Sequence, residues 1–271
     1  MLLFLAALLA APNAVVVRPV ANMHAAPSED SAVVSQAIFG ANTGVLEVQP
    51  GWVKIRTPDD YTGWVAEAGV LRSVEPYAVE GVRVESLFAN LYREPDVTKH
   101  QPLMTLPYEA CLEPVATRDE RWMKVRLPGG APAWVQRGDI SSNRTPYGIP
   151  ELIAFSRRFL GLPYLWGGTS TFGYDCSGFT QMLCRRRGIA IPRDAAPQAR
   201  WEGMTAVDRT PLEPGDLLYF GASQERITHT GMYIGNGEFI HASTHERPVV
   251  QIGRVDDPYW AGLFVAARRP K

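Results

Sequence analysis

Two tryptophan pairs with one spacing constrain this chain more than any other feature: Trp52 with Trp64, and Trp122 with Trp134, twelve residues apart in each case. Their surroundings match as well. Gly51-Trp52-Val53-Lys54-Ile55-Arg56 parallels Arg121-Trp122-Met123-Lys124-Val125-Arg126, and Gly63-Trp64-Val65 parallels Ala133-Trp134-Val135. Upstream, Ala21-Asn22-Met23 with Pro27 is echoed by Ala89-Asn90-Leu91 with Pro95. The offset is 70 residues at the tryptophans and 68 at the asparagines, the mark of a duplicated unit with a two-residue length difference. Period-two alternation puts Trp52, Lys54 and Arg56 on one strand face and Val53 and Ile55 on the other. Turn clusters, Thr57-Pro58-Asp59-Asp60 and Leu127-Pro128-Gly129-Gly130, separate that strand from the next. Each unit therefore reads as a small all-β barrel of about 65 residues with a modest core. The tryptophans are expected in those cores, and the units are expected to position a neighbour. Tyr61, in the turn before Gly63, is placed to project from the surface.

The 271 residues leave room for two or three domains. Twenty-seven basic side chains balance 28 acidic ones, which argues against a protein that grips nucleic acid or an anionic membrane. A content of 24 glycines and 22 prolines fits many short strands better than a helical bundle. Leu2 to Ala11 is an apolar run too short to span a bilayer, which needs about 20 residues. It has the length of a secretory signal core and is followed by small residues, although no Lys or Arg precedes it. The expectation is a leader over 1–14, barrels over 15–75 and 76–143, a third domain over 144–271, and an extracytoplasmic location without a transmembrane segment.

That third domain carries the chemistry. Leu152, Ile153, Phe155 and Phe159 recur at helical spacing before Gly161. A second helix is expected after Asp175, with Phe179, Met182 and Leu183 on its buried face, Arg185 to Arg187 in its last turn and Gly188 closing it. Asp175 reads as the N-cap and Cys176 as the first helical residue, where free backbone N–H groups and the macrodipole lower a thiol pKa. The three cysteines are odd in number and lack C-x-x-C spacing, which excludes a disulfide scaffold or a structural zinc site. Cys111 and Cys184 read as inert thiols and Cys176 as a nucleophile.

A cysteine nucleophile needs a base. His24 and His100 belong to the repeats, whereas His229 and His241 flank Gly235-Asn236-Gly237 in a hairpin-like stretch. A three-residue loop would put the two histidines diagonally on one face. A two-residue loop would shift the register by one and separate them. Both registers remain open at this level.

Asp175-Cys176-Ser177-Gly178-Phe179, His229-Thr230-Gly231-Met232-Tyr233-Ile234-Gly235, Phe239-Ile240-His241-Ala242-Ser243 and Pro214-Gly215-Asp216-Leu217 resemble the NlpC family of papain-like cysteine peptidases over about 163–266. The repeats resemble the bacterial SH3-like domains that accompany cell-wall enzymes. Together with Pro163-Tyr164-Leu165-Trp166-Gly167-Gly168-Thr169-Ser170, they point to the γ-D-glutamyl-L-diamino acid endopeptidases. The resemblance implies an α+β fold, a papain-like domain behind two SH3-like barrels that pack against it and help shape its active site. It also implies thiol chemistry without metal or cofactor. Cys176 would be the nucleophile, His229 the general base and later acid, and His241 the group orienting His229. The Cys176 N–H, with the Tyr164 hydroxyl, would hold the oxyanion. The implied substrate is a peptidoglycan stem peptide, L-Ala-γ-D-Glu-diamino acid, with a free amino end. Asp175 would face that ammonium in competition with its capping role, Ser177 and Trp166 would line the pocket, and Tyr61 would reach in from the first barrel. Glu29 and Asp30 are weaker nominees for the amine. Ala195 departs from the pattern, standing where Ser is expected after Arg193-Asp194. The competing readings are an amidase or acyltransferase of the same superfamily, or a wall-binding protein with an inactive third domain.

Overall fold

The computed structural model describes residues 13–73 and 75–271. Most of the segment expected as a leader lies outside them. Asn13 and Ala14, which the expected leader included, belong instead to the first barrel: their strand pairs with Gly44-Thr43 on one side and Ser73-Arg72 on the other.

Alternation in the first repeat yields β1 (Asn13–Val16), β2 (Val20–His24), β3 (Val33–Ile38), β4 (Asn42–Gln49), β5 (Trp52–Arg56), β6 (Thr62–Ala66) and β7 (Val70–Ser73). They form one seven-stranded sheet in the order β3-β2-β6-β5-β4-β1-β7, closed around Val16, Met23, Val53, Ile55 and Val65. The second repeat gives β8 (Val82–Val84), β9 (Phe88–Leu91), β10 (Met104–Pro107), β11 (Cys111–Val115), β12 (Trp122–Arg126), β13 (Pro132–Gln136) and β14 (Ile140–Ser141) around Leu91, Leu106, Leu112, Val125 and Val135.

The expectation that the tryptophans are core residues holds in part: Trp64 and Trp122 are buried, each 6% exposed, whereas Trp52 and Trp134 are half-buried. None of the four belongs to the apolar cluster at either barrel's centre. They share the strand face of Lys54 and Lys124, opposite Val53 and Val125, and pack outside the central apolar clusters. Trp52 meets His24 edge-on at 5.4 Å, Trp122 meets Tyr92 at 5.5 Å, and the Lys54 ammonium sits 5.8 Å from the Trp64 ring. The same alternation that buries the valines forces this placement.

Phe39, between β3 and β4, is buried in the second barrel's core and thereby plugs one barrel into the other. Gly40 makes that possible: it has φ +77°, and a Cβ there would lie 2.2 Å from the Cys111 carbonyl oxygen.

The C-terminal domain contains α1 (Ile149–Ser156), the two short strands β15 (Thr169–Ser170) and β16 (Gly173–Tyr174), α2 (Cys176–Arg186) and α3 (Ala195–Arg200). A six-stranded antiparallel sheet follows, ordered β17 (Met204–Val207), β22 (Phe264–Pro270), β18 (Leu217–Ser223), β19 (Arg226–Gly235), β20 (Glu238–Ser243), β21 (Val249–Arg254), with α4 (Pro258–Leu263) preceding β22. Helix α2 lies on β19 and β20, its Phe179, Met182 and Leu183 packed into a core with Phe159, Tyr174, Tyr219, Met232 and Ile240. The chain is thus α+β, strand-rich at its N-terminal end. No helix among the described residues is long and apolar enough to cross a membrane.

Candidate active site

The β19–β20 hairpin decides whether the histidines meet. Asn236 and Gly237, at φ 54° and 76°, form a tight two-residue turn closed by the Gly235–Glu238 pair. A bulge between Tyr233 and Gly235 then adds one residue to β19, so that Tyr233 faces Phe239 and Met232 faces Ile240. The turn is the short one, yet the register beyond the bulge is that of the longer loop. His229 and His241 consequently share a face, with His229 Nε2 at 2.8 Å from His241 Nδ1. His241 is 1% exposed and framed by Phe239 at 4.5 Å.

Cys176 opens α2, whose cap Asp175 accepts from the Gly178 N–H at 2.7 Å. Gly178 is required there, because a Cβ would stand 2.2 Å from the Gly168 carbonyl oxygen. The Thr230 N–H faces the Cys176 thiol, which brings the residue after His229 against the nucleophile candidate. With Nε2 occupied by His241, Nδ1 is the His229 atom left to exchange a proton with the thiol. That role requires the proton on Nε2 in the resting ring, donated to His241 Nδ1.

The expected lowering of the Cys176 pKa is also corrected. Burial, then the Asp175 carboxylate, push the thiol up to about 12, outweighing the Thr230 and Ser177 N–H groups and the Arg193 guanidinium, which pull it down. Burial likewise pulls His229 down to about 3, with His245 adding to the effect, and holds His241 well below the usual imidazole range. His229 keeps a partly exposed edge, but its surroundings are aromatic: Phe220 at 5.8 Å and Trp260 at 4.9 Å. Burial resists charging of each group alone, so a proton passing from sulfur to Nδ1 must create both charges together, each offsetting the other.

Asp175 does not face an open pocket. Arg193 Nη1 and Nη2 donate to its two oxygens at 3.0 and 2.7 Å, and the Gly167 N–H donates at 3.0 Å. Ser177 belongs to the same knot, its Oγ 2.9 Å from Arg193 Nη1 and 3.3 Å from Asp175 Oδ1. Arg193 Nε reaches Ser35 Oγ of the first barrel at 3.2 Å. The carboxylate that meets Tyr61 is instead Asp194, which accepts from the Tyr61 hydroxyl at 3.2 Å. Asp194 occupies the N-cap position of α3 but makes no capping bond through its side chain. Burial raises its pKa, while Arg193 partly opposes the rise. Burial, then Asp194, push the Tyr61 phenol up to about 12, so it remains a donor.

Asp194 is a site residue that the sequence pattern does not reveal, since its partner Tyr61 lies 133 residues earlier. Its one available signal is the tripeptide Arg193-Asp194-Ala195. Tyr164 lies close enough to Cys176 that a thiolate would raise its pKa further, after burial, and its phenol stays protonated as a donor. Trp166 is 70% exposed, at the surface beside Gly167. Glu29 is exposed and lies 3.8 Å from His24. Asp30 is exposed as well, and among the described residues neither carboxylate contacts the Tyr61–Asp194 pair. No cluster of three or more His, Cys, Asp or Glu side chains able to hold a metal occurs among the described residues.

Residues 161–269 match the NlpC/P60 family and residues 19–70 the bacterial SH3 domain. A γ-D-glutamyl-L-lysine dipeptidyl-peptidase of Bacillus cereus is 35% identical over 257 residues, covering 87% of this chain and 74% of the relative. Its namesake from Bacillus subtilis is 30% identical, covering 79% and 73%. The crystal structure of an NlpC/P60 family protein from Bacillus cereus superposes with a TM-score of 0.84 at 28% identity, over 95% of this chain and 99% of that one.

Proposed function

This chain belongs to the NlpC/P60 family, and we propose that it is a cysteine endopeptidase that hydrolyses the γ-D-glutamyl–diamino acid bond of peptidoglycan stem peptides bearing a free N-terminal L-Ala. The observation that carries the reading is the 2.8 Å contact of His229 Nε2 with His241, which leaves Nδ1 for Cys176. Cys176 Sγ attacks the γ-carbonyl carbon of D-Glu as His229 Nδ1 takes the thiol proton. The oxyanion is held by the Cys176 N–H and the Tyr164 hydroxyl. Collapse breaks the C–N bond, His229 protonates the departing amine, and a thioester remains. Water, deprotonated by His229, attacks the thioester carbon, releasing L-Ala-γ-D-Glu and the thiol.

The first barrel helps shape the pocket. Tyr61 and Asp194 supply a polar end suited to an ammonium, whereas Asp175 and Ser177 brace the nucleophile through Arg193. The identity of the two dipeptidyl-peptidases supports a diamino acid on the leaving side. The cell-wall substrates of the family support an extracytoplasmic location. Mass spectrometry of products from L-Ala-γ-D-Glu-diamino acid peptides, free or N-acetylated, tests the reading. The wild type should release L-Ala-γ-D-Glu from the free peptide and Cys176→Ala should release nothing. Cleavage of both peptides at one rate would favour the amidase or wall-degrading alternative.

A further inference from the structure

Trp260 has no part in the reaction as written, yet it touches more of the site's rings than any residue in it. Helix α4, held by the Asp257 carboxylate accepting from the Tyr259 N–H at 2.9 Å, delivers it to the back of the histidine pair. Its indole lies face-on to His229, 4.9 Å between centroids at 29°. It meets His241 edge-on at 4.9 Å and 89°, and rests against Phe220 and Phe239 at 5.1 and 5.4 Å. The ring is 5% exposed, so it also shuts water out from that side of the Nε2–Nδ1 hydrogen bond.

We propose that Trp260 is the positioning residue of the site: its face fixes the His229 ring so that Nδ1 meets Cys176, and it stabilises the imidazolium formed there. The inference rests on the thiol–imidazole reading above. A cation within about 6 Å of an indole centroid is attracted to its π-face, most strongly where water is excluded. The charged ring arises when the Cys176 S–H bond breaks and its proton moves to Nδ1, leaving a thiolate. That state must form among aromatic rings, where, among the described residues, no carboxylate pairs with the imidazolium. The titratable groups placed against His229 are His241 on β20 and His245 in the following loop, with Cys176 of α2 the thiol that Nδ1 meets under this reading. His245 is itself stacked on Tyr259 of α4 at 3.7 Å and 2°. None of these groups offers an anion except the thiolate itself, and His245, when protonated, opposes a charge on His229. The indole is therefore the favourable partner that the fold provides.

The test is the pH dependence of Cys176 alkylation by iodoacetamide, followed on the peptide carrying Cys176, with the full chain throughout. Trp260→Leu should move the midpoint upward by between about 0.4 and 1.5 pH units. Below that midpoint kcat should fall about three- to thirtyfold with KM within about twofold, because acylation and not binding is impaired. Trp260→Phe, which keeps a π-face, should lie between leucine and wild type. A folded Trp260→Leu with the wild-type midpoint overturns the proposal. Should the leucine variant fail to melt cooperatively, uniform replacement of tryptophan by a polyfluorinated analogue weakens the π-face without opening a cavity. An unmoved midpoint there overturns the proposal equally, and an upward shift supports it. Alkylation needs no peptide, so an error in the substrate would leave these shifts intact. His229→Ala with the wild-type alkylation profile would instead sink the thiol–imidazole pair itself.

Discussion

Asp194→Asn separates selectivity from chemistry. The carboxylate accepts from Tyr61, is not tied to its helix, and makes no hydrogen bond with Arg193, whose two terminal nitrogens go to Asp175. Asparagine keeps the volume and an oxygen for the Tyr61 hydroxyl, so the barrel contact survives and only the charge is removed. A charge-assisted hydrogen bond in a partly desolvated site is worth about 1.5–3 kcal/mol, or about 10- to 150-fold in kcat/KM for a substrate with a free ammonium. An N-acetylated peptide has no such charge and should lose little. The assay is the ratio of kcat/KM for free and acetylated L-Ala-γ-D-Glu-diamino acid, in wild type and variant. The ratio should collapse toward one as the free peptide becomes poorer. Because burial raises the Asp194 pKa, the preference should also fade on acidification sooner than an exposed aspartate would allow. A variant that melts like wild type yet keeps the ratio within about threefold refutes the assignment, since less than about 0.7 kcal/mol would then be at stake.

His241→Ala should lower kcat at least about a hundredfold with little change in KM, because it frees the His229 ring to turn away; steady-state kinetics with unchanged kcat would exclude an orienting role. Arg193→Leu leaves the buried Asp175 carboxylate unpaired, at about 3–5 kcal/mol. The catalytic domain should melt about 6–20 °C lower by calorimetry, and Asp175→Asn in the same chain should recover part of the loss. A wild-type melt for the single variant would dismiss the knot as unimportant. Acid should weaken the fold through the histidine pair. Their folded pKa values lie below the unfolded value, His229 at about 3, so the unfolded chain binds protons first as pH drops. The stability they contribute is complete above about pH 6.5 and declines toward pH 3, by up to about 1.4 kcal/mol per pH unit for each ring. Denaturant melts from pH 7 to 4 should show a shallower decline in His241→Leu; parallel slopes would contradict the assigned burial.

Features set by local chemistry were legible in the sequence. The capping aspartate and the cysteine behind it lie within one helical turn, and the barrels follow from alternation and turn residues. The histidine register was not, because a bulge of one residue offsets a tight turn and nothing in Ile234-Gly235 announces it. The thiol pKa was misjudged for a related reason. The helix terminus is visible in Asp175-Cys176, whereas the burial that raises the thiol pKa comes from tertiary packing. Asp194 was invisible because its meaning depends on Tyr61, 133 residues earlier in the chain. Alternation already sets the tryptophans on the face of Lys54, opposite Val53 and Ile55, but the packing that buries Trp64 and Trp122 on that face is tertiary.

The seam between the first barrel and the catalytic domain ties these points together. It is built from directional polar contacts: Tyr61 to Asp194, Ser35 to Arg193, Gln181 Nε2 to Asp59 at 2.9 Å, and the Thr169 N–H to Gln36 Oε1 at 3.1 Å. Such bonds contribute little net adhesion each, about 0.5–1.5 kcal/mol, but they fix geometry. Cys176, His229 and His241 all sit on α2, β19 and β20, which pack on one another without help from the barrel. The proposed reacting groups therefore belong to one domain, and the Tyr61–Asp194 pair proposed to face the substrate amine lies where two domains meet. Substitutions along the seam should accordingly alter which peptides are accepted before they alter how fast the thiol reacts. A near-neutral chain suits that division, because recognition of a small zwitterion depends on one placed carboxylate and not on a broad field.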